Sequence, residues 1–380
     1  MIQRIVIAAL FWGVVAGLPG CRVQNDSYSG TDPAQSRINV QQIQNDMVGL
    51  DLSSAYTPTA AISSYFKFYG MYDLPGQHFF GYFKSQSRRI SAHVFIPQMP
   101  AGSMFMVHGY LDHAGALHHL IHSAVTRGFA VAVFDLPGHG LSSGERGVID
   151  DINAYVETLE DFVAICEPHL PQPFYLVGHS TGAAIALEYL QRHEDRFDKI
   201  VMLAPLVHHA NWRLSKIGVS IASVFGSTLP RKYRENSSDT GYLAFVQNDP
   251  LQVQRLSIKF LEALYAWEER IRSETPVAGS VLLIQGSEDE IVDWHYNVAF
   301  LREKIQGVTV DIVDGARHQL VNEAEAIREH VFHLIFDYLD RRIIYWRNPD
   351  VARASGRPPG AAVVRQVRYA YEHFARKRKG

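Results

Sequence analysis

The chain has 380 residues, of which 47% are hydrophobic and 20% charged, with a net charge of −3. That balance fits a globular fold with a large core and excludes a chain built as a whole to coat nucleic acid. Its two cysteines, Cys21 and Cys166, are too few for a disulfide framework.

Met1-Ile2-Gln3-Arg4 gives a cationic start, and Ile5 to Gly17 is an almost unbroken apolar run. The run is short for a bilayer span and suits the core of a signal peptide. It ends in Leu18-Pro19-Gly20-Cys21, which resembles a bacterial lipobox. The resemblance implies that residues 1–20 are a lipoprotein signal peptide and that Cys21 is lipidated. Arg22 at the next position favours the outer membrane, so the expected location is the bacterial cell envelope, lipid-anchored. Residues 21–50, rich in Gln, Asn, Ser and Asp, read as a flexible tether.

A domain over residues 51–340 follows. Ala60 to Tyr72 reads as a short helix. Phe79–Phe83 and Arg89–Pro97 read as two strands turning near Ser85-Gln86-Ser87. Met104–Val107 and Phe129–Phe134 are short continuous apolar runs, as buried parallel strands tend to be. Helices are expected near Leu117–Thr126 and Ile152–Cys166. Phe174–Val177 then meets Gly178-His179-Ser180-Thr181-Gly182 and a run of small residues. Lys199–Ala204, Val281–Ile284 and Val308–Ile312 are later strands, the last two followed by helical patterns. Strands alternating with helices predict an α/β fold with a doubly wound, mainly parallel sheet.

The Gly178–Gly182 stretch is a G-x-S-x-G pattern in a strand–turn–helix context, the nucleophile elbow. Side chains two residues either side of a serine on so sharp a turn would collide, and the glycines remove them. Ser180 then stands clear of the sheet, and the helix opening at Thr181 offers free N–H groups to a developing negative charge.

Together with His108-Gly109, Asp135 to Arg146, Asn248-Asp249-Pro250, Gln285 to Asp289 and Gly315-Ala316-Arg317-His318, this stretch resembles the α/β-hydrolases. The resemblance is to the monoacylglycerol lipase and lysophospholipase branch, often grouped with serine aminopeptidase-like hydrolases. It covers roughly Phe79 to Leu339. A serine needs a base and an orienting carboxylate, which in this fold follow in the order acid, then histidine. Four carboxylates follow Val281–Ile284: Glu288, Asp289, Glu290 and Asp293. Asp289 occupies the family's G-x-x-D-x-x-V position. His318 lies where the fold carries its base, and His330 and His333 in the next helix read as packing or surface residues. The expected triad is Ser180, Asp289 and His318. By family position the oxyanion donors are the backbone N–H groups of Thr181 and Tyr110, leaving the Tyr110 side chain free to line the pocket; His108 is a structural holder of that loop.

The resemblance further implies a helical cap over Ser180 at about 206–277. Its Trp212, Phe225, Tyr242, Phe245, Tyr265 and Trp267 are candidates either to line an acyl pocket or to pack the cap itself. The chemistry calls for no cofactor and no metal; His113, His118, His119 and His122 read as surface histidines and Cys166 as a buried hydrophobe. Residues 341–380 carry eleven Lys/Arg against two Asp/Glu. That tail is either a contact for anionic lipid head groups or a solvated end. The implied activity is hydrolysis of lipid carboxylic esters, monoacylglycerols or lysophospholipids, with the membrane surface as partner and no nucleic acid. The same triad also supports acyl transfer or amide cleavage, and a non-catalytic ligand-binding module is the alternative from another class. Acyl length, head group and oligomeric state are not encoded in any motif.

Overall fold

The computed structural model describes residues 38–339, apart from 194, 223–226 and 232. The expected signal peptide, Cys21, Phe225 and the basic tail lie outside the described residues.

Two short helices come first, α1 (Val40–Asp46) and α2 (Ala60–Phe68). Residues 40–50, expected to belong to a flexible tether, instead carry a helix and a bridge to the sheet. The Asn39 side chain caps α1 by accepting from the Gln42 N–H at 3.0 Å, Ile43 and Met47 are buried, and Gly49 bridges to Tyr82. A seven-residue helix with one buried apolar position carries too little periodicity to stand out in a polar stretch.

The antiparallel hairpin β1 (Gln77–Ser85) and β2 (Arg88–Ile96) leads into β3 (Ser103–Val107), α3 (His118–Thr126), β4 (Ala130–Phe134) and α4 (Asn153–Cys166). Next come β5 (Phe174–His179), α5 (Thr181–Arg192) and β6 (Lys199–Leu203). After the insertion follow β7 (Val281–Gly286), α9 (Trp294–Lys304), β8 (Thr309–Val313) and α10 (Glu325–Leu339), with α6 to α8 described below. The eight strands lie side by side in the order β1-β2-β4-β3-β5-β6-β7-β8. Pairing is parallel from β4 onward and antiparallel at β1–β2 and β2–β4.

Alternate residues of the central strands feed two separate cores, because successive side chains in a strand point to opposite faces. Phe105 and Val107 of β3 pack with Leu159 of α4 and Ile185 of α5. Met104 and Met106 pack with Leu120 of α3 and Phe332 of α10. Burying each such side chain stabilises the fold by about 1.5–3 kcal/mol. Helices cover both faces, as a parallel sheet requires, and the α/β expectation holds.

Between β6 and β7 the insertion contains α6 (Trp212–Ala222), a small antiparallel ribbon (Thr228–Pro230 with Arg255–Ser257), α7 (Thr240–Asn248) and α8 (Ile258–Ser273). It is joined to the loops at the carboxyl ends of the strands. Leu206 N donates to Ser180 O at 3.1 Å and Gln319 N to Asn236 O at 2.8 Å. Among the described residues no helix is long and apolar enough to cross a membrane.

Candidate active site

Ser180 has φ 54° and ψ −112°, a conformation that costs a non-glycine residue about 1–3 kcal/mol and persists only when its surroundings impose it. They do so here. Ser180 N donates to Leu203 O at 2.9 Å, and Ser180 O accepts from Ala183 N at 3.0 Å. A Cβ on Gly178 would collide with the Gly182 backbone, and one on Gly182 with the Val107 backbone. The two glycines thus let β5, α5 and β3 close up beneath the serine. Thr181 is the first residue of α5, so its N–H has no acceptor within the helix.

His318 and Asp289 come from the loops after β8 and β7. The two loops are drawn together at Gly286, where a Cβ would strike the carbonyl oxygens of Ala316 and Arg317. His318 Nδ1–H donates to Asp289 Oδ2 at 2.8 Å, with both residues buried. The same oxygen accepts from Gln285 Nε2 at 3.0 Å, and Oδ1 accepts from Ile291 N at 2.8 Å and Val292 N at 3.2 Å. Burial pushes the Asp289 carboxyl up; the His318 imidazole and these donors outweigh it and hold the group below its ordinary value. The competing carboxylates go elsewhere: Glu288 and Glu290 are exposed, and Asp293 caps α9 by accepting from Tyr296 N. His330 and His333 are exposed on α10.

The loop His108–His113 follows β3. A Cβ on Gly109 would lie 3.2 Å from the Ser180 Cβ, so the loop runs against the serine and Tyr110 follows directly. His108 Nδ1–H donates to Gly109 O at 2.8 Å and Nε2 accepts from Leu136 N at 2.9 Å, the structural role expected. The Tyr110 side chain does not simply line a pocket. Its hydroxyl donates to Gly147 O at 2.7 Å and accepts from Ser257 N at 3.0 Å. Its ring stacks on Phe260 with centroids 3.6 Å apart. It pins the loop to the insertion.

Several partners escaped the sequence reading. His179 Nε2–H donates to His318 O at 3.0 Å; burial first, and then the neighbouring His318, push its imidazole down to about 4. Asp112 accepts from Gln252 Nε2 at 2.9 Å and from Gln319 Nε2 at 3.0 Å. Burial raises that carboxyl, but Arg231, His179 and the two amides outweigh it and leave it lowered. His113 is no surface histidine: it is fully buried and donates from Nε2 to Asp249 Oδ2 at 2.8 Å. His118 turns its Nδ1 to Gly115 O, and His122 is exposed; among the described residues no three His, Cys, Asp or Glu side chains gather as metal ligands. Cys166 is buried in the core and its thiol is pushed up by burial.

Most of the insertion's aromatic rings are occupied in packing. Trp267 Nε1–H donates to Glu188 Oε2 at 3.1 Å, Tyr265 OH and Ser215 Oγ lie 2.6 Å apart, and Trp212 stacks on His208 at 4.1 Å. Phe245 packs on Phe68 of α2 at 5.5 Å, and Tyr242 is buried.

The profile of the family described as "Serine aminopeptidase, S33" (Hydrolase_4) matches residues 98–325. The chain belongs to this family. This α/β-hydrolase is 27% identical over 248 residues to a monoacylglycerol lipase of Mycolicibacterium smegmatis, covering 62% of this chain and 88% of that one. It is 26% identical over 277 residues to lysophospholipase L2 of Escherichia coli, covering 62% and 78%. The crystal structure of Paleococcus ferrophilus monoacylglycerol lipase superposes with a TM-score of 0.58 at 25% identity, over 66% of this hydrolase and 98% of that chain.

Proposed function

We propose that this hydrolase cleaves carboxylic esters of lipids, monoacylglycerols or lysophospholipids, with Ser180 as nucleophile, His318 as general base and acid, and Asp289 as its orienting carboxylate. The observations that support the reading are the buried 2.8 Å His318–Asp289 bond, the positive φ of 54° at Ser180, and the bond from His179, its chain neighbour, to His318 O. With Nδ1–H committed to Asp289, His318 Nε2 is left as the proton acceptor. Ser180 Oγ attacks the acyl carbonyl and its proton passes to Nε2. The oxyanion is met by the backbone N–H groups of Thr181 and Tyr110. Collapse breaks the ester bond and His318 returns the proton to the departing alcohol. Water, deprotonated by the same imidazole, then attacks the acyl-enzyme, releasing the fatty acid and restoring Ser180. The relatives' names favour glycerolipid esters. The basic tail and a lipidated Cys21 would hold the enzyme at a bacterial envelope membrane; incorporation of labelled palmitate, lost in Cys21→Ser, tests that location.

The substrate class is tested by assaying the purified enzyme on monoacylglycerols, lysophospholipids and an aminoacyl p-nitroanilide. Turnover of the lipid esters with an optimum in acyl length is expected. Release of p-nitroaniline in preference to fatty acid would move the assignment to amide cleavage.

A further inference from the structure

The family match begins at residue 98, yet the loop that carries Tyr110 is held in part from upstream of that point. Leu111 in this loop has φ 72°, so the loop's shape has to be imposed from outside. Three contacts with Asp249–Val253 of the insertion impose it. Val253 N donates to Leu111 O at 3.0 Å, Gln252 Nε2 to Asp112 Oδ1 at 2.9 Å, and His113 Nε2 to Asp249 Oδ2 at 2.8 Å. Gly115 N donates into His113 Nδ1 at 3.1 Å, which fixes the ring proton on Nε2.

Asp249 is the joint of this arrangement, and its other oxygen is held from the N-terminal arm. Oδ1 accepts from its own turn, Leu251 N at 2.9 Å, and from the Tyr69 hydroxyl at 2.5 Å. Tyr69 directly follows α2 and is 3% exposed. Its ring lies edge-on to His113 with centroids 4.8 Å apart. It also covers Gly115 so closely that a Cβ there would sit 2.8 Å from the ring. Phe245 of α7 closes the other side, 6.0 Å away. A phenol bonded to a buried carboxylate is a charge-assisted contact, stronger and more directional than packing alone.

We propose that the N-terminal arm reaches the active site through one residue, Tyr69, which acts as a positioning residue. Through Asp249 and His113 it sets the loop that presents the Tyr110 N–H to the oxyanion. The inference rests on the assignment of Tyr110 as an oxyanion donor made above. Removing one hydroxyl leaves Asp249 bonded to His113 and Leu251 N, so the fold survives. The loop loses a lateral tie, and a displaced donor weakens the transition state more than the bound ester.

The test is Tyr69→Phe in the full chain, with rates normalised to sites titrated to completion by a fluorophosphonate. The control is Tyr65→Phe, on α2 four residues before Tyr69 and likewise buried, whose hydroxyl bonds His93 Nε2 at 3.0 Å instead. Tyr69→Phe is expected to lower kcat on a p-nitrophenyl ester about tenfold with KM within twofold. It is also expected to weaken, by the same factor, a trifluoromethyl ketone that binds Ser180 as an oxyanion. Tyr65→Phe lowers the melting temperature and leaves kcat at the wild-type value. Wild-type kcat and ketone affinity in Tyr69→Phe, or an equal loss in Tyr65→Phe, overturns the inference while leaving the proposed function standing. A wild type that neither labels nor hydrolyses esters overturns both.

Discussion

At the scale of single residues, the proposed chemistry depends on a contest at Asp289. Burial alone would raise its pKa, but the His318 imidazole and the three other donors reverse the sign. Its ionised form stabilises the fold fully above its unfolded value near 3.8, and that contribution is lost as pH falls through the depressed native value. Asp289→Asn removes this dependence, so melting curves of the variant should flatten below pH 4 relative to wild type. It should also lower kcat by about a thousand- to ten-thousandfold at little change in KM, because the amide favours the wrong imidazole tautomer. Steady-state kinetics beside thermal melts at several pH values check both outcomes.

At the scale of elements, α8 is fastened to α5, the helix that begins directly after Ser180. Glu188 of α5 is 2% exposed and accepts from Trp267 at 3.1 Å, Arg270 at 2.6 Å and Arg192 at 3.1 Å. The arginines are partly solvated, so their share is small; the buried indole N–H decides the cost. Glu188→Ala leaves it unpaired and should destabilise the enzyme by about 1–3 kcal/mol in denaturant unfolding. The sheet and elbow were legible in sequence because their signals are local. Continuous apolar runs mark β3 to β7, and Gly178 and Gly182 stand where the backbones of β5, α5 and β3 close up beneath the turn. Contacts such as His113–Asp249 and Asp112–Gln319, 136 and 207 residues apart, leave no periodic trace. His113 therefore read as a surface histidine and Tyr110 as a free ring. α1 was hidden for a different reason: among its seven residues only Ile43 is buried.

At the scale of the whole molecule, the described body is larger than the span the family profile matches, because the arm completes one of the two cores. Ile43, Tyr65 and Phe66 pack there with Met104 and Leu120. Ile43→Ala should therefore cost about 2–5 kcal/mol by denaturant unfolding, whereas the same change in a tether would cost nothing. The insertion, the arm and the loops at the strand ends are bonded to one another through Tyr110, Asp112 and Asp249. The proposed ester hydrolysis and the proposed role of Tyr69 both require Ser180 to be the nucleophile. The direct measurement is intact-protein and peptide mass spectrometry after a fluorophosphonate probe, on wild type and Ser180→Ala. One adduct per wild-type chain, located on Ser180, and none on the folded variant, is the expected result. An adduct on another residue, or a folded wild type that never reacts, would contradict it.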